Sequence, residues 1–241
     1  MAPYLKPVEL QLRQRLSRPG DPLDHVCFIE SGLASMSIES RDGVLQEIRI
    51  IGQEGLIGHS ALLGSQQWAY VTVVQIEGVG LEVPVKALVD SLDLPDIRAF
   101  FHHYVHVCDV ELAETALAAA KYTMRQRLAR WLLMCEDRID SDYLPLTHDS
   151  LARSLGVRRA GITDQLHVLE GEHVIRSTRR MVRILDRSML VHIAGGCYGA
   201  PKEAYERLLG DHHEPANGTL LPGVAEPALV RAAPVYRSMT A

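Results

Sequence analysis

The 241-residue chain contains no apolar run of the ~18 residues that a membrane-spanning helix needs, so none is expected. Its amino-terminal M-A-P-Y-L-K-P lacks the apolar core of a secretory signal, which makes the cytoplasm the expected compartment. Cysteine is sparse: Cys27, Cys108, Cys135 and Cys197 stand far apart with no C-x-x-C pair. That spacing argues against a disulfide framework and against a structural zinc. Catalytic signatures are missing too, with no G-x-S-x-G, no phosphate-binding loop and no H-E-x-x-H. Without a nucleophile, base and orienting group in view, no enzyme and no catalytic residue is expected.

What is present is the composition of a soluble globular protein, 47% hydrophobic and 23% charged. The length suits one large or two modest domains. The net charge of -5 hides an uneven distribution. Between positions 121 and 187 thirteen Lys and Arg stand against nine Asp and Glu, a balance of +4, while the remainder carries -9. The basic part is the one expected to face phosphates.

The first third is punctuated by glycines. Val8, Leu10 and Leu12 alternate with polar residues, the period of a half-buried strand. Strands are expected at His25 to Ile29, Leu33 to Ser40, Val44 to Ile51, Val71 to Ile76 and Val79 to Val83, with tight turns such as Arg41-Asp42-Gly43 between them. Many short strands predict an antiparallel β-roll or jelly roll ending near Pro84. From Asp96 the period changes. Ile97, Phe101, Tyr104, Cys108, Leu112 and Thr115 recur by threes and fours, continuing to Ala119 and Tyr122. A narrow stripe over about seven turns predicts a helix pairing with a second copy, with those six residues at the dimer interface. The competing reading is that the stripe covers the β-domain. Cys108 is expected as core rather than a redox switch. His102 and His106 lie one turn apart, but no third ligand has suitable spacing, so no metal is expected.

A second helix from Thr123 to Asp137 follows, and then T-H-D-S-L-A-R-S-L-G-V-R-R-A-G-I-T-D-Q-L-H-V-L-E. Thr147 is a good N-cap; Leu151 and Leu155 share one helix face; Gly156 fits a left-handed helix end. Ile162, Leu166 and Leu169 form the inner face of the next helix. Arg158, Arg159, Thr163, Asp164, Gln165 and His167 are placed on its outer face. Two short helices about a glycine turn, the second carrying hydrogen-bonding side chains, predict a helix-turn-helix that enters the major groove. Asp164 is expected either to accept from a cytosine amino group or, the favoured reading, to orient an arginine. Val174 to Arg176 and Met181 to Leu185 flank Ser177-Thr178-Arg179-Arg180, a hairpin whose Arg179 and Arg180 would clamp phosphates. Thr147 would sit over the DNA backbone.

Taken together, the glycine-punctuated β-domain, the long helix, L-T-H-D-S-L-A-R-S-L-G-V-R-R-A-G-I-T and R-I-L-D-R-S-M-L resemble the Crp/Fnr transcription regulators over about Val8 to Leu190. The resemblance implies an α+β chain: a cyclic-nucleotide-binding-like sensor domain at 1–93, a dimerisation helix at 94–122 and a winged helix-turn-helix at 123–190. A helical extension at 191–210 and a disordered tail at 211–241 complete the expected layout. The implied function is sequence-specific binding of a two-fold site on double-stranded DNA by a homodimer, with RNA polymerase as a further partner and no membrane association. The alternative is a ligand- or metal-binding sensor that keeps the fold without specific DNA binding.

Departures from the family pattern sharpen this reading. Cyclic-nucleotide-binding members carry a glutamate that holds the ribose and an arginine that holds the phosphate; the matching positions here are His59 and about Ala69-Tyr70. Leaving a phosphate unpaired costs several kcal/mol, so no cofactor is expected and cyclic AMP is not the effector. Cys27 stands alone where an iron-sulfur branch needs several cysteines. Arg159 matches the family's common base-reading arginine, whereas the family's glutamate and second arginine fall at Ala160 and Asp164.

Overall fold

The computed structural model describes residues 2–139 and 141–210. The alternating, glycine-broken first third forms eight short strands: β1 (Lys6–Leu10), β2 (Arg15–Ser17), β3 (His25–Ile29), β4 (Leu33–Glu39), β5 (Leu45–Ile51), β6 (Leu56–Ile57), β7 (Val71–Ile76) and β8 (Gly78–Pro84). They make two four-stranded antiparallel sheets, ordered β1-β8-β3-β6 and β2-β7-β4-β5. Leu10, Ile29, Ala34, Met36, Ile51, Ile57 and Val74 form one core of this β-roll, as alternating inner faces should. Gly78 is required where β7 turns into β8: a Cβ there would lie 2.0 Å from the carbonyl oxygen of Ser31.

A short helix, α1 (Val85–Ser91), leads to the long helix α2 (Pro95–Lys121). Pro95 opens it, Asp96 sits in its first turn and Lys121 in its last, as the helix dipole favours. Its 27 residues span about 40 Å at ~1.5 Å per residue. The expected dimer stripe is covered within the chain. Phe101, Tyr104 and Cys108 are buried in a core shared with the β-roll and the last helix; Ile97 packs against that core, and Leu112 against the β-roll interior. Thr115 is half-buried, its hydroxyl donating to the Glu111 carbonyl and accepting from Arg130. An apolar period identifies a face that must be covered, without saying by which chain. The exposed face of α2 is instead His102, His106, Asp109, Ala113, Ala116, Leu117 and Ala120.

The chain breaks at Tyr122, and Thr123 caps α3 (Met124–Glu136) with a capping box to Gln126. Then come β9 (Tyr143–Leu144), α4 (His148–Leu155), α5 (Arg159–Gly171), the hairpin β10 (Ile175–Thr178) and β11 (Met181–Ile184), α6 (Arg187–Ala194) and α7 (Ala200–Leu209). β9 joins the hairpin as a third strand, in the order β10-β11-β9. The expected extension after Met189 is thus helical, with α6 beginning at Arg187 and α7 returning to lay Ala204, Tyr205 and Leu209 against the core around α2. The expected disordered tail, 211–241, lies outside the described residues.

The two halves also share one buried core. Leu33 and Ile50 of the β-roll belong to the same buried cluster as Leu128, Trp131 and Leu132 of α3, Leu151 and Leu155 of α4, and Ile162 and Leu166 of α5. The carboxyl-terminal domain is docked on β5.

Candidate nucleic-acid interface

Helix α4 begins where a capping residue was expected. The Thr147 hydroxyl accepts from the Ser150 amide at 3.0 Å, and the Ser150 hydroxyl accepts from the Thr147 amide at 3.0 Å. Gly156 ends the helix with φ +65°, and a Cβ there would lie 2.1 Å from Oε1 of Gln46 on β5. The glycine therefore serves the turn and the domain contact together. Helix α5 then starts at Arg159, with Ile162, Leu166 and Leu169 fully buried beneath it. Arg179 and Arg180 are exposed at the tip of the β10–β11 hairpin.

These elements enclose an open cleft of about 770 Å³ lined by Arg13, Thr147, His148, Asp149, Arg153, Arg159, Arg179 and Arg180. Five guanidiniums against one carboxylate make it an anion-attracting surface on the scale of a phosphate backbone. Of the residues expected to touch DNA, the structure gathers Thr147, Arg159, Arg179 and Arg180 here. Arg158 is exposed but lies outside the cleft, as the residue before the first turn of α5.

Thr163 and Gln165 do not share a face. Two positions along a helix are about 200° apart, so the two flank the buried stripe on opposite sides. Thr163 is moreover engaged inside the domain: its hydroxyl meets Nδ1 of His148 at 2.9 Å and donates to the Arg159 carbonyl at 3.2 Å. His148 continues through Nε2 to Ser177 of the hairpin at 3.4 Å, tying α4, α5 and the wing into one unit. The carboxylate beside Arg159 is Asp149, at 3.5 Å, and not the expected Asp164. Both partners are more than half exposed, so this ion pair is weak and yields readily to a phosphate.

Arg13 and His148 were not legible as site residues. Arg13 comes from the β1–β2 turn, where its φ is +66°, and only the folded chain brings that turn to the cleft. His148 was hidden beside Thr147, whose capping role is a local signal.

Behind the cleft the domains are bolted together by buried polar bonds. Glu47 of β5 accepts from Trp131 Nε1 of α3 at 2.6 Å and from the Ser154 hydroxyl of α4 at 2.7 Å. Gln46 donates to the Ser154 carbonyl at 3.1 Å. Arg49 pairs with Glu111 at 3.0 Å and donates to the Tyr104 hydroxyl at 3.1 Å; Arg138 pairs with Glu54 at 2.6 Å and with Glu111 at 3.1 Å. Burial raises the Glu111 carboxyl, but Arg138 and Arg49 outweigh it and hold the group below its ordinary value. Burial raises the Glu47 carboxyl, and its hydrogen bonds only partly offset this. In the β-roll, burial and then the Arg49 charge push His59 down to about 4, so its ring is neutral near pH 7. The same burial raises the Cys108 thiol to about 11 and leaves it unreactive.

The chain thus joins an antiparallel β-roll, through a long connecting helix, to a winged helix-turn-helix. Comparison with known proteins agrees. Residues 7–93 match the model of the cyclic nucleotide-binding domain, and residues 126–193 that of the Crp-like helix-turn-helix domain. FixK2 from Bradyrhizobium japonicum superposes with a TM-score of 0.70 at 14% identity, covering 80% of this chain and 98% of its own. A putative regulator of the Crp/Fnr family from Eubacterium rectale gives 0.63 at 16% identity, over 79% and 89%. CLP of Xanthomonas campestris, described as a c-di-GMP-responsive global regulator, gives 0.61 at 18%, over 76% and 95%. At these identities the likeness is one of fold. No curated protein matches the chain significantly in sequence. The chain belongs to the Crp/Fnr family of transcriptional regulators. That family consists of regulators, not enzymes, and among the described residues no helix is long and apolar enough to cross a membrane.

Proposed function

We propose that the protein is a cytoplasmic homodimeric transcription regulator that binds a two-fold site on double-stranded DNA. The cleft at the start of α5, with five arginines converging from α4, α5, the wing and the β1–β2 turn, carries this reading. In this reading Arg159 meets a base edge, and Arg13, Arg153, Arg179 and Arg180 meet phosphates. Arg158, exposed beside the cleft, touches the adjoining backbone. Dimerisation uses the exposed face of α2, where His106, Asp109, Ala113, Ala116 and Ala120 follow three-four spacing and the alanines allow close approach. Two copies so paired would set their recognition helices about one DNA turn, ~34 Å, apart. RNA polymerase beside the operator is the further partner that this role entails.

Cyclic AMP is not the effector in this reading. His59, buried and neutral, stands where a ribose-binding carboxylate would be needed, and Ala69-Tyr70 offers no cation for a cyclic phosphate. Addition of cyclic AMP is expected to leave the melting temperature unchanged; a saturable rise would overturn this part.

Selection of bound duplexes from random DNA tests the whole. The expected product is a palindromic consensus, bound by a dimer in light scattering. Recovery of unrelated sequences bound equally well would contradict it.

A further inference from the structure

Helix α4 places a titratable ring on the wall of the arginine cleft. His148 is its first residue, half-buried, and it lines the cleft together with Asp149 and Arg153 of α4, Arg159 of α5, Arg179 and Arg180 of the wing and Arg13 of the β1–β2 turn. The ring is held at both nitrogens: Nδ1 meets the Thr163 hydroxyl at 2.9 Å, and Nε2 the Ser177 hydroxyl at 3.4 Å. The Thr163 proton is already committed, since that hydroxyl donates to the Arg159 carbonyl at 3.2 Å. Thr163 therefore accepts from Nδ1–H, and in the neutral ring Nε2 accepts from Ser177. A hydroxyl rotates to suit its partner. When Nε2 gains a proton, Ser177 turns from donor to acceptor, and no heavy atom has to move. The ring is thus built to change charge in place.

The charges around the ring decide when it does so. In the free chain five arginines share the cleft with it, and as the first residue of α4 it sits at the positive end of the helix dipole. Against them stand Asp149 and, behind Ser177, Glu170, which accepts from the Ser177 amide at 2.6 Å. An imidazolium is disfavoured there. Phosphates entering the cleft reverse the balance, because they neutralise the arginines and give the ring a counter-charge. Resting on the DNA-binding reading, we propose that DNA binding is coupled to protonation of His148: as a duplex fills the cleft the ring takes up a proton from solvent. Affinity then rises as pH falls through the physiological range, where imidazole exchanges its proton. The coupling is reciprocal, so the duplex strengthens the hold on the proton as much as the proton strengthens the hold on the duplex. The charged ring donates at both nitrogens, and its charge-assisted bonds to Thr163 and Ser177 fix α4, α5 and the wing in register on the DNA.

The test uses the full chain and the duplex recovered by selection, with affinity measured from pH 8 to pH 6 at constant ionic strength. The parent is expected to bind about tenfold tighter at pH 6 than at pH 8, as uptake of a proton on binding requires. His148→Asn keeps a donor for Thr163 but has no proton to gain, and it is expected to lose most of that pH-dependent gain. His167→Gln, which removes an exposed histidine of α5, is expected to keep it. Should His148→Asn fail to show the parent's far-ultraviolet dichroism spectrum, His148→Gln takes its place. Affinity unchanged between pH 8 and pH 6, a folded His148 variant with the parent's pH slope, or loss of the slope in His167→Gln would overturn the proposal and leave the DNA-binding reading standing. No binding of any duplex at any pH would overturn both.

Discussion

Two arginine-rich regions lie on either side of helix α4, and they treat charge in opposite ways. At the domain junction Arg49 and Arg138 are nearly sealed from water and pair with Glu111 and Glu54. In the cleft Arg159 is about two-thirds exposed, and among the described residues its ion pair is a loose one with Asp149. Desolvated charges require partners from the same chain, so the junction is a structural joint. Charges left in water are affordable unpaired and remain available to an external anion, so the cleft is a binding surface. Arginine content alone does not separate the two; burial does.

The sharpest way to break the comparison is at the joint. Glu111→Ala strands Arg49 in a buried site, while Arg138 keeps Glu54, and an uncompensated buried charge costs about 3–5 kcal/mol. Chemical denaturation should show a loss of that order, and a loss under about 1 kcal/mol would mean that water already reaches the network. In the cleft the same chemistry should leave stability alone. Arg159→Ala is expected to shift the folding midpoint little while costing about 1–3 kcal/mol of DNA binding and relaxing preference at one base position. A uniform loss across sequences would demote Arg159 to a backbone contact. Arg13→Ala should act more gently, lowering the slope of log affinity against log salt by about one without changing sequence preference. An unchanged slope would remove the β-roll from the DNA surface.

A further effect concerns pH. His59 is neutral in the folded chain down to about 4, whereas its unfolded value is 6.5. Between those values the unfolded chain binds a proton that the native chain does not, so stability falls as pH drops through this window. His59→Gln should flatten that part of the stability profile, and an unaltered profile would show that other groups set it.

How much of this was legible in advance follows the range of each interaction. The strands, the capping threonine, Gly156 and the basic wing were readable because period, caps and turns are local properties. The stripe on α2 was read correctly as apolar, but its period did not say which chain would cover it. Phe101, Tyr104 and Cys108 are claimed by the chain's own β-roll and by α7, and no helical period reveals that. The pairing of Thr163 with Gln165 failed on geometry alone, since alternate residues on a helix point apart. The bond from Glu47 to Trp131 joins residues 84 positions apart, and Arg13 reaches the cleft from the far end of the sequence. Such contacts are products of the fold and leave no local trace.

The most direct measurement is the affinity of the full-length protein for its selected duplex at two salt concentrations, beside a variant with Arg159, Arg179 and Arg180 all changed to alanine. The account predicts dimeric binding that weakens steeply with salt, and a variant that folds normally, binds far more weakly and shows a shallower slope. A natively folded variant that binds as tightly as the parent, with the same slope, would contradict it.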